Sequence, residues 1–184
     1  MSRAVPPAPG FVKRFGDVVD RRRGVLFQQL DSDNLVNRLT GDAMPFGWTV
    51  NPFRGCEVGC RYCYARPTHE FLGHGDPEEF EERIYVKQAG DANLRASLLR
   101  ARASGREIAI GTATDPYQPA EGRFAVTRRV LEAMAQVPGL RIGITTKSTG
   151  ILRDRDVLGR IARASDLWVN LSLISLDADL LRQI

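Results

Sequence analysis

Three cysteines, Cys56, Cys60 and Cys63, are the only ones in the chain, and all three fall within eight residues. An odd number at spacings of four and three cannot build a disulfide framework; without an export signal, such a cluster reads as a metal site. Soft sulfur donors select zinc, copper(I) or iron–sulfur clusters. A four-iron cluster ordinarily takes one cysteine per iron. Three cysteines would leave one iron open for a small molecule to bind directly. Gly55 and Gly59 suit a tight loop wrapped on a cluster, because glycine adopts backbone angles that other residues avoid. Amide groups of such a loop can also donate to the sulfides.

The competing metal is zinc, held by these three thiolates and one histidine. His69 lies six residues beyond Cys63, and His74 is the only other histidine. Structural zinc sites usually combine a close cysteine pair with a second, distant pair of ligands, and the chain has no such second pair. Spacing alone leaves both metals open. Away from a metal, both histidines read as ordinary surface or core side chains.

These ligands need elements to hold them. The chain has 184 residues, 43% hydrophobic and 26% charged, which excludes disorder, collagen and a coiled coil and leaves room for about one domain. No apolar run approaches the roughly 18 residues of a membrane span, and the first ten residues do not resemble a signal peptide. A cytoplasmic protein with no membrane partner is the expectation. The net charge of +4 is mild. Arg21, Arg22 and Arg23 form the densest basic cluster, with Phe27 nearby, and read as a solvated loop or helix end rather than a nucleic-acid patch.

Residues 1–47 have weak periodicity and read as a partly irregular N-terminal extension. From Trp48 the pattern becomes regular. Trp48–Phe53 reads as a strand running into the cysteine loop. Glu107–Gly111, Arg141–Thr146 and Trp168–Ile174 are the next strand candidates. Between them, Asp91 caps a helix with Leu94, Leu98 and Ala101 on one face and Gly105 as its stop. Thr127 caps a second, with Val130, Leu131, Met134 and Val137 on its apolar side. Residues 153–164 offer Val157, Leu158, Ile161 and Ala162 as a third stripe, and Asp177 caps a fourth helix. Strands alternating with helices imply an α/β fold with a parallel sheet and right-handed crossovers. Four such units, the last incomplete, are too few for a closed eight-unit barrel, so the chain reads as the front part of a larger protein.

Cys56-x3-Cys60-x2-Cys63, with Tyr62 just ahead of the third cysteine, resembles the signature of the radical S-adenosylmethionine (radical SAM) enzymes. The longer run from Asn51 to Glu70 and the run from Gly111 to Pro119 resemble the subgroup related to spore photoproduct lyase, often labelled DNA-repair-photolyase-like. The likeness extends from about Thr49 to Asp177. It implies a partial (βα) TIM-like barrel, truncated after the fourth strand, with residues 48–184 as the N-terminal part of the core domain.

The resemblance also implies cofactors. Cys56, Cys60 and Cys63 would hold a [4Fe-4S] cluster whose open iron is chelated by S-adenosyl-L-methionine. One electron then releases a 5′-deoxyadenosyl radical, which abstracts hydrogen from a substrate. The cofactor carries the difficult chemistry. Tyr62, Thr114, Asp115, Lys147 and Ser172 are the implied cofactor-binding residues, with Tyr62 against the adenine. Tyr62 and Tyr64 match tyrosines that relay hydrogen in the lyases. Thr112, however, stands where the lyases carry a hydrogen-donating cysteine, and a threonine O–H is a far poorer donor than a thiol. An electron donor such as flavodoxin or ferredoxin is the implied partner, and the substrate class extends to nucleic acid. Two alternatives compete: a non-catalytic, zinc-stabilised nucleic-acid-binding module, and an inactive fragment of the enzyme.

Overall fold

Short apolar strands separated by amphipathic helices can bury both faces of a parallel sheet. The computed structural model, which describes residues 15–181 apart from 23 and 42, contains such a sheet. The chain begins with strands β1 (Phe15–Arg22), β2 (Val25–Asp31), β3 (Val36–Arg38), β4 (Trp48–Val50) and β5 (Phe53–Arg54). The cysteine loop follows, then a 3-10 helix (Arg66–Leu72), α1 (Glu79–Glu82) and β6 (Arg83–Gln88). Next come α2 (Asp91–Ser104), β7 (Ile108–Ile110), α3 (Glu121–Phe124), α4 (Val126–Met134) and β8 (Arg141–Thr146). A second 3-10 helix (Thr149–Asp154), α5 (Arg155–Ala162), β9 (Asp166–Leu171) and α6 (Ala178–Leu181) complete the order.

The strands form two sheets. One has the order β3-β4-β7-β8-β9, in which β4, β7, β8 and β9 run parallel and β3 is antiparallel to β4. The other has the order β1-β2-β6-β5, with only β2 and β6 parallel. Both sheets feed one core. Phe27, Phe53, Ile84 and Val86 meet Val50, Ile108, Ile110, Ile142 and Ile144 there, and the helices add Leu94, Leu98, Val130, Leu131, Met134, Val157 and Ile161. Each large side chain buried this fully contributes about 1.5–3 kcal/mol relative to exposure.

The structure departs from the sequence expectations at definite points. The strand read over Trp48–Phe53 is two strands in different sheets. Pro52 has no N–H to continue a ladder, so the chain turns at Asn51-Pro52 and Phe53–Arg54 pairs with β6 instead. Asp91 is the first residue of α2, whose cap position is Gly90, whereas Gly105 ends it left-handed as expected. Thr127 does not cap α4. Its amide and that of Arg128 donate to the buried Glu121 carboxylate at 2.8 and 3.1 Å, while the Thr127 hydroxyl donates to the Pro116 carbonyl at 2.5 Å. The third helix starts at Arg155, after a 3-10 turn, and Ala162 is exposed rather than on its apolar stripe. Asp177 does cap α6, accepting from the amides of Asp179 and Leu180.

β9 ends at Leu171, and the residues from Trp168 to Ile174 are all exposed. β9 is the edge of an open sheet among the described residues, and no closed barrel is formed. Within residues 1–47 the described part is more regular than its sequence suggests, since it supplies β1, β2 and β3. Phe27 is buried, so it is not available to stack beside Arg21 and Arg22. No helix among the described residues is long and apolar enough to cross a membrane.

Candidate functional site

The cysteine loop is held from below by backbone contacts that only glycine permits. Gly55 has φ +81°, and a Cβ there would lie 2.5 Å from the Arg83 carbonyl oxygen and 2.8 Å from that of Phe80. This close approach lets the Cys56 amide donate to the Phe80 carbonyl at 2.8 Å. Gly59 also lies at positive φ, as expected of a wrapped loop. The Cys63 amide closes a tight turn onto the Cys60 carbonyl at 3.0 Å. Arg66 then straps the turn down: its guanidinium donates to the Cys60 carbonyl at 3.1 Å, to the Pro77 carbonyl at 3.2 Å and to Glu81 of α1.

The second wall comes from the carboxyl ends of β7 and β8, where sites on parallel sheets gather. Asn51 joins the two walls. Its amide nitrogen donates to the Thr112 hydroxyl oxygen at 2.9 Å, and its oxygen accepts from the Ala113 amide at 2.8 Å. Gln118 makes a second bridge, donating to the Gly55 carbonyl at 3.1 Å and accepting from the Glu57 amide at 2.9 Å. Glu57 returns the contact by accepting from the Ala120 amide at 2.7 Å. Asn51 and Gln118 both lie inside the two sequence runs singled out above, yet neither had been given a role. A polar residue next to a proline was the one signal available for Asn51.

Asp115 fastens β7 to β8. Its carboxylate accepts from the Tyr117 amide at 2.8 Å, the Thr146 hydroxyl at 2.6 Å and the Lys147 amide at 2.7 Å. Its own amide points at the Cys56 sulfur, 3.5 Å away.

Between these walls lies one cleft. It brings together Cys56, Cys60, Cys63, Tyr64, Thr114, Asp115, Lys147 and Ser172, although they come from four separate stretches of sequence. Tyr62 stands outside the lining, half exposed, with the Lys147 ammonium 5.5 Å from its ring centroid. Tyr64 is exposed, and its hydroxyl donates to the Thr112 carbonyl. Ser172 sits just past β9, where its amide donates to the Thr146 carbonyl at 2.8 Å.

All three cysteines are free thiols, and burial pushes Cys56 up to about 11, because the thiolate would lose hydration without gaining a cation. Three soft thiols facing one cleft are a donor set that suits an iron–sulfur cluster. Among the described residues no three Cys, His, Asp or Glu side chains converge on one ion. A cluster does not require them to, since it takes each thiolate on a different iron. His69 has Nε2 3.0 Å from the Arg83 carbonyl, and its Nδ1 is buried with no hydrogen-bond partner. Burial also holds His69 down to about 4, which keeps it neutral. The Thr114 hydroxyl, in the cleft wall, is buried with no hydrogen-bond partner. Buried hydroxyls are normally satisfied, and the Tyr117 hydroxyl shares this condition.

A three-thiol loop thus faces the carboxyl ends of the parallel strands β7 and β8 across one cleft of an α/β fold. Comparison with known proteins agrees: the chain belongs to the radical SAM superfamily, whose family model matches residues 50–184. Uncharacterized proteins of Mycobacterium tuberculosis and Mycobacterium bovis are each 37% identical over 162 residues, covering 88% of this chain and 47% of theirs. One from Methanocaldococcus jannaschii is 27% identical over 137 residues, covering 74% of this chain and 48% of its own. The chain thus spans about half the length of these relatives. No solved structure matches it.

Proposed function

We propose that this chain is the cofactor-binding part of a radical SAM enzyme, related to spore photoproduct lyase, that abstracts hydrogen from an organic substrate, with a nucleic-acid constituent as the candidate class. The observation that carries the reading is the unsatisfied Thr114 hydroxyl in the same cleft as three free thiols. Cys56, Cys60 and Cys63 would hold a [4Fe-4S] cluster, which when bound with S-adenosyl-L-methionine supplies a 5′-deoxyadenosyl radical.

The chain's own residues do the positioning. Thr114 offers its hydroxyl to the methionine end of the nucleoside, and Asp115 fixes the wall on which that end rests. Tyr62, paired with Lys147, offers an aromatic face to the adenine. Ser172 closes the far side. Tyr62 and Tyr64 are the candidates to relay hydrogen. Thr112 binds Asn51 through its hydroxyl oxygen and the Tyr64 hydroxyl through its carbonyl, so it serves as a joint of the site. That use, together with the weak hydrogen-atom donation of an alcohol, argues against photoproduct repair by the route of the lyases.

The parallel run β4-β7-β8-β9 is read as the opening part of a TIM-like barrel whose sheet continues beyond β9. The exposed Leu171, Leu173 and Ile174 support this, because apolar side chains in a row beside a sheet edge are normally covered. A flavodoxin- or ferredoxin-type electron donor and a cytoplasmic location complete the proposal.

Anaerobic reconstitution with iron and sulfide tests it. The expected product is a brown protein whose reduced-state EPR spectrum changes when S-adenosyl-L-methionine is added, and which cleaves that nucleoside to 5′-deoxyadenosine and methionine. A colourless protein with one zinc per chain, or a cluster whose spectrum ignores the nucleoside, overturns it.

A further inference from the structure

The sheet β1-β2-β6-β5 has a second face, turned away from the main core. Ile84 and Val86 of β6 point into that core, so Arg83, Tyr85 and Lys87 point the other way. Arg54 of β5 stands opposite Tyr85 in the antiparallel register and shares its face. Lys87 is one step along the same face, diagonal to Arg54, with its amide donating to the Pro52 carbonyl at 3.2 Å. On its other side Lys87 is level with Leu30. Leu30, Leu72 and Tyr85 pack together on this face.

Lys87 is only 6% exposed. Arg54 is half-buried beside it. Neither side chain has a carboxylate partner or a side-chain hydrogen bond among the described residues, whereas Arg83, beside them on the same face, pairs with Glu79 at 2.8 Å. Two like charges side by side at a position shielded from water are costly unless something opposite in charge meets them. A lysine can escape by losing its proton; an arginine cannot. Among the described residues no carboxylate meets the pair, so an anion from outside it is the natural counter-charge.

We propose that Arg54 and Lys87 form an anion site, separate from the cysteine cleft, that takes a phosphate group, either free or as the monoester of a larger molecule. A planar guanidinium fork grips two oxygens and an ammonium meets a third. Two positive charges match the double negative charge of a phosphate better than the single charge of a carboxylate.

Thermal unfolding of the cluster-free 184-residue chain, at fixed ionic strength, tests the site with inorganic phosphate and with a nucleoside 5′-monophosphate as probes. Phosphate is expected to raise Tm saturably in the wild type, as any ligand selective for the folded state does. Lys87→Met should fold, because it replaces a buried charge with an isosteric apolar chain, and it should raise Tm without phosphate while abolishing the phosphate response. Arg54→Gln should likewise lose the response. A larger shift with the monoester assigns the site to a bigger ligand; equal shifts assign it to the free ion. No response in the wild type, the same response in Lys87→Met, or the same effect from chloride overturns the proposal. No cluster is needed for the measurement, so its outcome is independent of the radical SAM reading.

Discussion

The Thr146 hydroxyl donates to the Asp115 carboxylate at 2.6 Å, tying the end of β8 to the loop that leaves β7. The same carboxylate takes the Lys147 amide at 2.7 Å, so one side chain sets the spacing between two strand ends that both line the cysteine cleft. Hydrogen bonds to a charged group are each worth about 1.5–3 kcal/mol. Asp115→Ala is expected to lower unfolding free energy by about 2–4 kcal/mol, read from denaturant melts, since several such bonds are lost together and water replaces part of the loss. Asp115→Asn keeps the shape and should cost about half as much. If Asp115→Ala melts like the wild type, the carboxylate does not join the strands.

Thr114 makes the opposite prediction for stability and for binding. Its buried hydroxyl has no partner in the protein alone. Thr114→Val keeps the branched shape and removes the stranded polar group, so the chain without cofactor should gain about 1 kcal/mol. Binding of S-adenosyl-L-methionine to the reconstituted protein should weaken about tenfold, the equivalent of one neutral hydrogen bond. Equilibrium dialysis and thermal melts on the same preparation check both. A variant that is less stable and binds normally would make Thr114 a structural residue.

Gly55 is the position where the loop is least tolerant. Any Cβ would meet two backbone oxygens within 2.8 Å, and neither is the end of a flexible side chain. The residue also sits at φ +81°. Gly55→Ala should therefore push the cysteine loop off its seat on Phe80 and Arg83 and cost about 2–3 kcal/mol. Iron incorporation per chain, measured after reconstitution, should fall well below the wild type while the far-UV circular dichroism is retained.

Much of this was legible in the residues, for physical reasons that differ from place to place. Ile108–Ile110 and Arg141–Thr146 are buried strands of a parallel sheet, so their apolar runs show directly. α2 and α4 betray themselves by one-sided stripes. The sheet β1-β2-β6-β5 escaped notice because its buried strands carry polar side chains: Gln28 and Gln29 in β2, Arg83 and Lys87 in β6. Polar side chains on both faces of β2 and on one face of β6 had erased the apolar alternation that announces a strand. The cysteine cluster was visible because thiols at tight spacing have few other uses. Asn51 and Gln118 were not, since amides that brace a loop across roughly sixty residues of chain look in sequence like any other polar residue.

Lys87 gives a prediction in pH. Burial, reinforced by the nearby Arg54 charge, pushes its ammonium down to about 7 from an ordinary 10.5. Above about pH 7 the folded chain therefore holds Lys87 neutral, while the unfolded chain keeps that proton until about pH 10.5. The unfolded state binds more protons through this window, so stability rises with pH, by at most about 1.4 kcal/mol per pH unit from this group. Cys56 acts in the other direction at higher pH: its folded value of about 11 lies above its ordinary 9.0, so the unfolded thiol ionises first and stability falls from about pH 9 upward. The rise should thus be clearest between about pH 7 and pH 8.5. Urea midpoints in phosphate-free buffer should climb across that interval in the wild type and stay flat in Lys87→Met. Saturating phosphate should flatten the wild-type curve too, because an anion beside Lys87 keeps its proton on in the folded state. A wild-type curve parallel to that of Lys87→Met would mean that the lysine finds solvent or a counter-ion in the folded chain.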